Sequence, residues 1–135
     1  MAVREARLVI APGVLTVSPG DTILVNSSFD YIGPPVDLWL HTAIWKKGPI
    51  DPHVEIASGK REFKIPGTIP PPGMNYRIGV EIKVPSGESG SFGLYTKIMS
   101  VPGPDIFSPY YENIIEIVGA VSVFSNLAIT SYAKV

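Results

Sequence analysis

Residues Asn75–Val84 read Asn-Tyr-Arg-Ile-Gly-Val-Glu-Ile-Lys-Val. In an extended chain Tyr76, Ile78, Val80, Ile82 and Val84 fall on one side, and Arg77, Gly79, Glu81 and Lys83 on the other. Successive side chains of a strand point to opposite faces, so this stretch predicts a sheet segment with one dry face and one wet face. Before it stands Pro66-Gly67-Thr68-Ile69-Pro70-Pro71-Pro72-Gly73. Prolines have no N–H to give a ladder, so this run predicts a stiff connector between sheets, outside both helix and sheet. After it, Pro85-Ser86-Gly87-Glu88-Ser89-Gly90 predicts a long hairpin loop to a strand over Ser91–Val101.

The same reading extends along the chain. Residues 6–10 and 14–18 form a first strand broken at Pro12-Gly13, as an edge strand or a strand switching between sheets would be. Ser18-Pro19-Gly20-Asp21 predicts a tight turn, with proline pre-setting φ and glycine supplying a positive one. A second strand covers Thr22–Tyr31, with Ile23, Val25, Phe29 and Tyr31 on one face. A third covers Val36–Trp45, bulky on both faces: Leu38, Leu40 and Ile44 on one, Trp39, His41, Ala43 and Trp45 on the other. Such a strand is central or has a covered outer face. His53–Ala57 and Lys60–Ile65 predict a hairpin turning at Ser58-Gly59, and Tyr110–Val118 and Val121–Tyr132 are the last strands. Nothing of helix length shows a capped 3.6-residue period. The fold class is therefore all-β, an antiparallel β-sandwich of about eight or nine strands, immunoglobulin-like or jelly-roll-like, with no substantial helix. Residues 1–135 make one domain. Residues 121–135 are read as a terminal exchange strand, because residues 127–135 loosely echo residues 8–17.

Composition narrows the functional classes. Charged residues are only 17 % of the chain and the formal net charge is −1, so no broad field gathers nucleic acid or anionic lipid. No stretch approaches the ~20 apolar residues of a membrane helix, and the N-terminus lacks the pattern of a signal peptide. Synthesis in the cytoplasm, followed by life in a virion or extracellular assembly, is the expectation. Cysteine and glutamine are absent and there are 14 prolines, a balance expected of a thermophilic source.

The run Ser18–Tyr31, followed by a Gly-Pro break and Leu38-Trp39-Leu40, resembles the early strands of immunoglobulin-like and fibronectin-like modules, as does Pro72–Val80. The resemblance implies a β-sandwich and gives Tyr76 the part of a tyrosine corner, its hydroxyl tied to nearby backbone. The chain departs from that pattern in having no cysteine pair for Trp39 to pack on. Modules of this kind commonly serve as structural or adhesive parts of virions and cell surfaces.

Chemistry-bearing patterns are sparse. Asp51, His53 and Glu55 would share a face of an extended segment, but a transition-metal site needs three or four converging ligands with a supporting shell, so a solvated strand face is expected there. His41, between Trp39 and Ala43, is expected to be a hydrogen-bonded, partly buried histidine. No segment resembles a nucleophile elbow, Gly87-Glu88-Ser89-Gly90 lacks the lysine of a phosphate loop, and Glu116 alternates outward. No enzyme activity and no cofactor are expected. The aromatics are the better lead: Tyr31, Trp39, Trp45, Tyr95, Tyr110, Tyr111 and Tyr132 are many for the outer faces of a small domain. Trp39 and Trp45 can alternatively complete a second hydrophobic layer under a loop.

The sequence thus points to a structural protein that associates with copies of itself or with other structural subunits through sheet edges and aromatic patches. Its expected setting is a capsid, decoration or tail component of a phage or archaeal virus. Interface candidates are Trp39, Trp45, Tyr110, Tyr111, Phe124, Leu127, Ile129 and Tyr132, with residues 4–17 and 121–135 as the segments engaged. The alternative is a carbohydrate-binding or adhesive module of a larger secreted protein, with Trp39 or Trp45 exposed to stack on sugar rings.

Overall fold

The structure, a computed structural model, describes residues 2–8, 14–100, 104–119 and 128–134. Among them are nine strands: β1 (Ala2–Leu8), β2 (Leu15–Val17), β3 (Thr22–Gly33), β4 (Val36–Lys46), β5 (Val54–Ile65), β6 (Ile69–Lys83), β7 (Gly90–Ser100), β8 (Ile106–Phe107) and β9 (Tyr111–Ile117). They form two layers. The smaller sheet has the order β1-β3-β6, and the larger β2-β9-β7-β4-β5, with β8 also on β7. Every pairing is antiparallel except β2 with β9, which run parallel.

The alternation of Asn75–Val84 is realised directly. Ile78, Val80, Ile82 and Val84 are buried, while Arg77, Glu81 and Lys83 are exposed. β3 pairs along this stretch from Thr22↔Lys83 to Tyr31↔Met74, presenting Ile23, Val25, Phe29 and Tyr31 to the same interior. A one-residue slip would turn all of these outward, so burial itself fixes the register. At the Ser18–Asp21 turn Gly20 has φ 89° and Asp21 N–H donates to Ser18 O at 3.1 Å, the geometry that only glycine reaches without strain.

Four expectations are corrected. Residues 53–65 make no hairpin: β5 is one continuous strand pairing with β4 from Lys46↔Val54 to Val36↔Ile65. Gly59 marks a close approach, since a methyl group there would strike the Glu81 carbonyl oxygen of β6. The two sheets close on each other along this side, where Arg61 Nη1 donates to Gly79 O at 3.1 Å. Residues 69–73 also belong to a strand: β6 pairs Met74 with Tyr31 and Ile69 with Gly33, so Pro70–Gly73 bulge opposite Ile32. Prolines fit there because a bulge asks no ladder bond of them. Residues 85–90 cross between the sheets and close no hairpin, because β7 pairs with β4, β8 and β9 and never with β6. Residues 128–134 lie in no strand and are exposed, whereas 121–127, with Phe124 and Leu127, fall outside the described residues.

The interior is two apolar clusters. One gathers Val17, Ile23, Ile44, Ile82, Leu94 and Ile115 among others. The second gathers Phe29, Tyr31, Leu38, Leu40, Val80 and Ile98 among others. Each fully buried aliphatic or aromatic side chain contributes roughly 1.5–3 kcal/mol. At the level between them the inner faces carry hydroxyls. Thr42 and Thr96 share a buried hydrogen bond of 2.9 Å, and Thr96 Oγ1 also donates to His41 O at 3.2 Å. Ser108, in the gap between β8 and β9, accepts from Thr96 N–H at 2.9 Å. Ser27, inward on β3, is buried with no partner for its hydroxyl among the described residues.

Breaking one side of the threonine pair strands the other, which costs about 1–3 kcal/mol, whereas removing both is far milder. Thr96→Val should therefore lower the urea midpoint clearly, and Thr42→Val combined with it should recover most of the loss. Ser27→Ala should leave the midpoint unchanged or raise it.

Candidate functional site

The outer face of the larger sheet is where chemistry-bearing side chains converge. β4 turns Trp39, His41, Ala43 and Trp45 outward, and its neighbours add Glu55 from β5 and Tyr95 and Lys97 from β7. Tyr110, just before β9, and His53, just before β5, lie over them. Tyr110 stacks on Tyr95 (4.5 Å between centroids) and on His53 (3.8 Å), and meets Trp45 edge-on at 5.7 Å. Ala43, Trp45 and Tyr95 are consequently buried although they point away from the sandwich interior. Phe107 of β8 extends the stack from Tyr95, and Lys97 Nζ sits 6.0 Å from its ring.

Beside this layer Glu55 is the acceptor for two groups. Tyr95 donates its hydroxyl to Glu55 Oε1, and His41 Nε2 lies 3.1 Å from the same oxygen. Partial burial pushes the Glu55 carboxyl up. The hydrogen bonds from Tyr95 and His41, with the charges of His41 and Lys97, outweigh that push and hold it below the ordinary carboxylate range. Tyr95 is driven well above its ordinary value, first by burial and then by the Glu55 bond and charge. Tyr110 is raised by burial, then by Glu55 and Asp51. The trio is held together by a carboxylate that accepts and two rings that donate.

The candidates of the sequence divide sharply here. Trp39 is 40 % exposed, with Lys60 Nζ 5.5 Å from its ring centroid, and so offers contact surface. Trp45 is 2 % exposed and offers almost none, because it forms the second layer beneath His53 and Tyr110. Tyr110 and Tyr111 are half-buried, while Ile129 and Tyr132 are 85 % and 95 % exposed. Tyr31, counted among outer aromatics, faces the interior, and it is Tyr31 that ties its hydroxyl to backbone, donating to Pro34 O at 2.6 Å. Tyr76 makes no such corner. Its ring stacks on Phe29 at 5.6 Å and its hydroxyl meets Met74 Sδ at 3.7 Å. Asp51, His53 and Glu55 do not converge: Asp51 accepts from the His53 N–H at 2.9 Å, His53 stacks on Tyr110, and Glu55 takes His41 and Tyr95. No group of three His, Cys, Asp or Glu that could hold a metal occurs among the described residues. Glu55 as the partner of His41 went unread in the sequence, since the two meet only across the β4–β5 pairing, near its bulge.

A β-sandwich with a covered outer layer is thus the class the structure defines. No protein-family model matches the chain, and no curated protein matches it in sequence. Solved structures similar to it include the sporulation control protein Spo0M of Bacillus subtilis, at 13% identity and TM-score 0.45, covering 86% of this chain and 50% of that one. The cupredoxin domain of amoB from Nitrosocaldus yellowstonii is similar at 12% identity and TM-score 0.44, over 83% and 66% of the two chains. The class 5 fimbriae chaperone CfaA is similar at 9% identity and TM-score 0.46, over 90% and 59%. The chain spans half to just under two thirds of the length of these proteins, and all-β architecture is what they share with it.

A depressed folded-state carboxyl stabilises above the unfolded value, ordinarily 4.5, and that stabilisation is lost as pH falls through the folded value. A raised folded-state phenol stabilises below its ordinary 10.0 and loses this as pH rises past it. Unfolding midpoints measured from pH 7 to pH 3 should fall more steeply for the wild type than for Glu55→Gln. Alkaline titration followed at the tyrosinate band should show Tyr95 ionising after the exposed tyrosines.

Proposed function

We propose that this domain is a non-catalytic structural module that assembles with copies of itself. The observation that supports the reading is the segment 128–134, which lies outside every sheet with all seven residues exposed, Ile129 and Tyr132 almost completely. Large apolar side chains held in water are unfavourable by roughly 25 cal/mol per Å² of apolar surface, and a second subunit removes that cost by covering them. Among the described residues a receiving edge lies at the β2 end of the larger sheet's order. β2 is an edge strand of three residues, and Val14, Leu15 and the adjoining Val118 are about half exposed. Val118 N–H donates to Val17 O at 2.9 Å, which sets Val118 beside the end of β2. Addition of an extended segment to such an edge supplies main-chain hydrogen bonds for affinity and apolar side chains for fit. The weak net charge offers little repulsion between identical subunits.

A capsid, decoration or tail subunit of a virion is the setting this reading favours, because such particles are built by repeating one contact between identical domains. The glycan-binding alternative keeps Trp39 as its exposed ring and loses Trp45 to the covered layer.

Static light scattering on the full chain at micromolar concentration should report a stable oligomer. Ile129→Asp combined with Tyr132→Asp should shift it to monomer with an unchanged far-ultraviolet circular dichroism spectrum. A wild-type chain that scatters as a monomer would overturn the proposal.

A further inference from the structure

The β2 border and the segment 128–134 are each apolar on two sides. Leu15 shares a face with the buried Val17, so it is turned toward the sandwich interior, yet it is half exposed. A three-stranded sheet laid over a six-stranded one leaves the inner face open at this point. Val118 follows the buried Ile117, so alternation turns it to the outer side, and it too is half exposed. Among the described residues β2 pairs only with β9, and its other side takes no strand. The exposed segment has the same two-sidedness. Ile129 and Tyr132 stand three residues apart, so in an extended chain they fall on opposite faces.

The two patterns match each other better than either matches itself. Two copies of the segment alone make a two-stranded ribbon, which is marginal in water. Two β2 edges laid together pair only three residues each, with Pro12-Gly13 before them in sequence and Pro19-Gly20 after. A segment laid parallel on the border, with Ile129 beside Leu15 on the inner side, sets Thr130 beside Thr16 and Ser131 beside Val17. Tyr132 then comes level with Ser18 and Val118 on the outer side, because β2 and β9 run in register through Val17↔Ile117. The antiparallel alternative carries Tyr132 to the level of Pro12, which has no N–H for a ladder. Donor and acceptor are different surfaces of one chain, so filling one border leaves a free segment at one end and a free border at the other. We propose that self-association runs head to tail: the segment 128–134 of one copy adds as a parallel strand to the β2 border of the next, and repetition builds chains or rings of more than two copies. This rests on the assembly reading and gives it a polarity.

Two full-length variants test the polarity by sedimentation velocity at micromolar concentration. Leu15→Asp spoils the border and keeps the segment. Ile129→Asp combined with Tyr132→Asp spoils the segment and keeps the border. Each is checked for an unchanged far-ultraviolet circular dichroism spectrum, and Leu15→Ser serves as the border variant if Leu15→Asp unfolds. Each variant alone should sediment as a monomer. Their equimolar mixture should form a species of two chains and nothing larger, because only one donor–acceptor pair remains intact. The wild type should exceed two chains. A wild type that stops at a dimer, or a mixture that stays monomeric while the wild type assembles, would overturn the head-to-tail contact and leave self-association standing. A monomeric wild type would overturn both.

Discussion

A strand in the middle of a sheet has two faces, and both faces of β4 are apolar toward its Trp45 end. Leu38, Leu40 and Ile44 can be covered only by the opposite sheet, and Ala43 and Trp45 only by something laid over the outside. The first requirement produces the sandwich, with β3 and β6 packed over the inner face. The second produces the outer layer of Tyr95, Tyr110 and His53. A small domain that buries one strand from both sides gains interior without lengthening the chain, which suits a protein with no disulfide to brace it.

The hydroxyl level between the two apolar clusters is the other device that shapes the molecule. Thr42 and Thr96 satisfy each other only if β4 and β7 pair in the observed register, Thr42↔Thr96. Ser108 then fills the break between β8 and β9 by bonding to both main-chain groups of Thr96. A buried polar pair contributes little net stability, but a misregistered sheet would leave both hydroxyls without partners, and that penalty selects one pairing.

What remains outside divides into three kinds of surface. One is the ion-paired and aromatic face of the larger sheet, whose polar groups are committed to one another through Glu55. Another is the apolar border of β2 with the exposed segment 128–134. The third is the charge-balanced cleft lined by Lys46, Lys47, Glu88 and Glu112. The proposed assembly draws on the second.

The sequence by itself determined the period-2 strands, the turn at Ser18–Asp21, the central place of Val36–Trp45 in its sheet and the all-β class. Each of these depends on neighbours along the chain: alternation sets which side chains share a face, and Pro-Gly pairs set where the direction changes. The partly buried, hydrogen-bonded state of His41 was legible for the same reason, since its flanking residues place it on an apolar strand. Tertiary structure alone decided that Gly59 is a contact with β6 and not a turn, and that the Pro70–Pro72 run is a bulge within a strand. It also decided that Trp45 is covered while Trp39 is not, although the two share one face of one strand. Those outcomes depend on which strand lies alongside and what crosses above, and such contacts join residues far apart in sequence, where local pattern carries no information about distance.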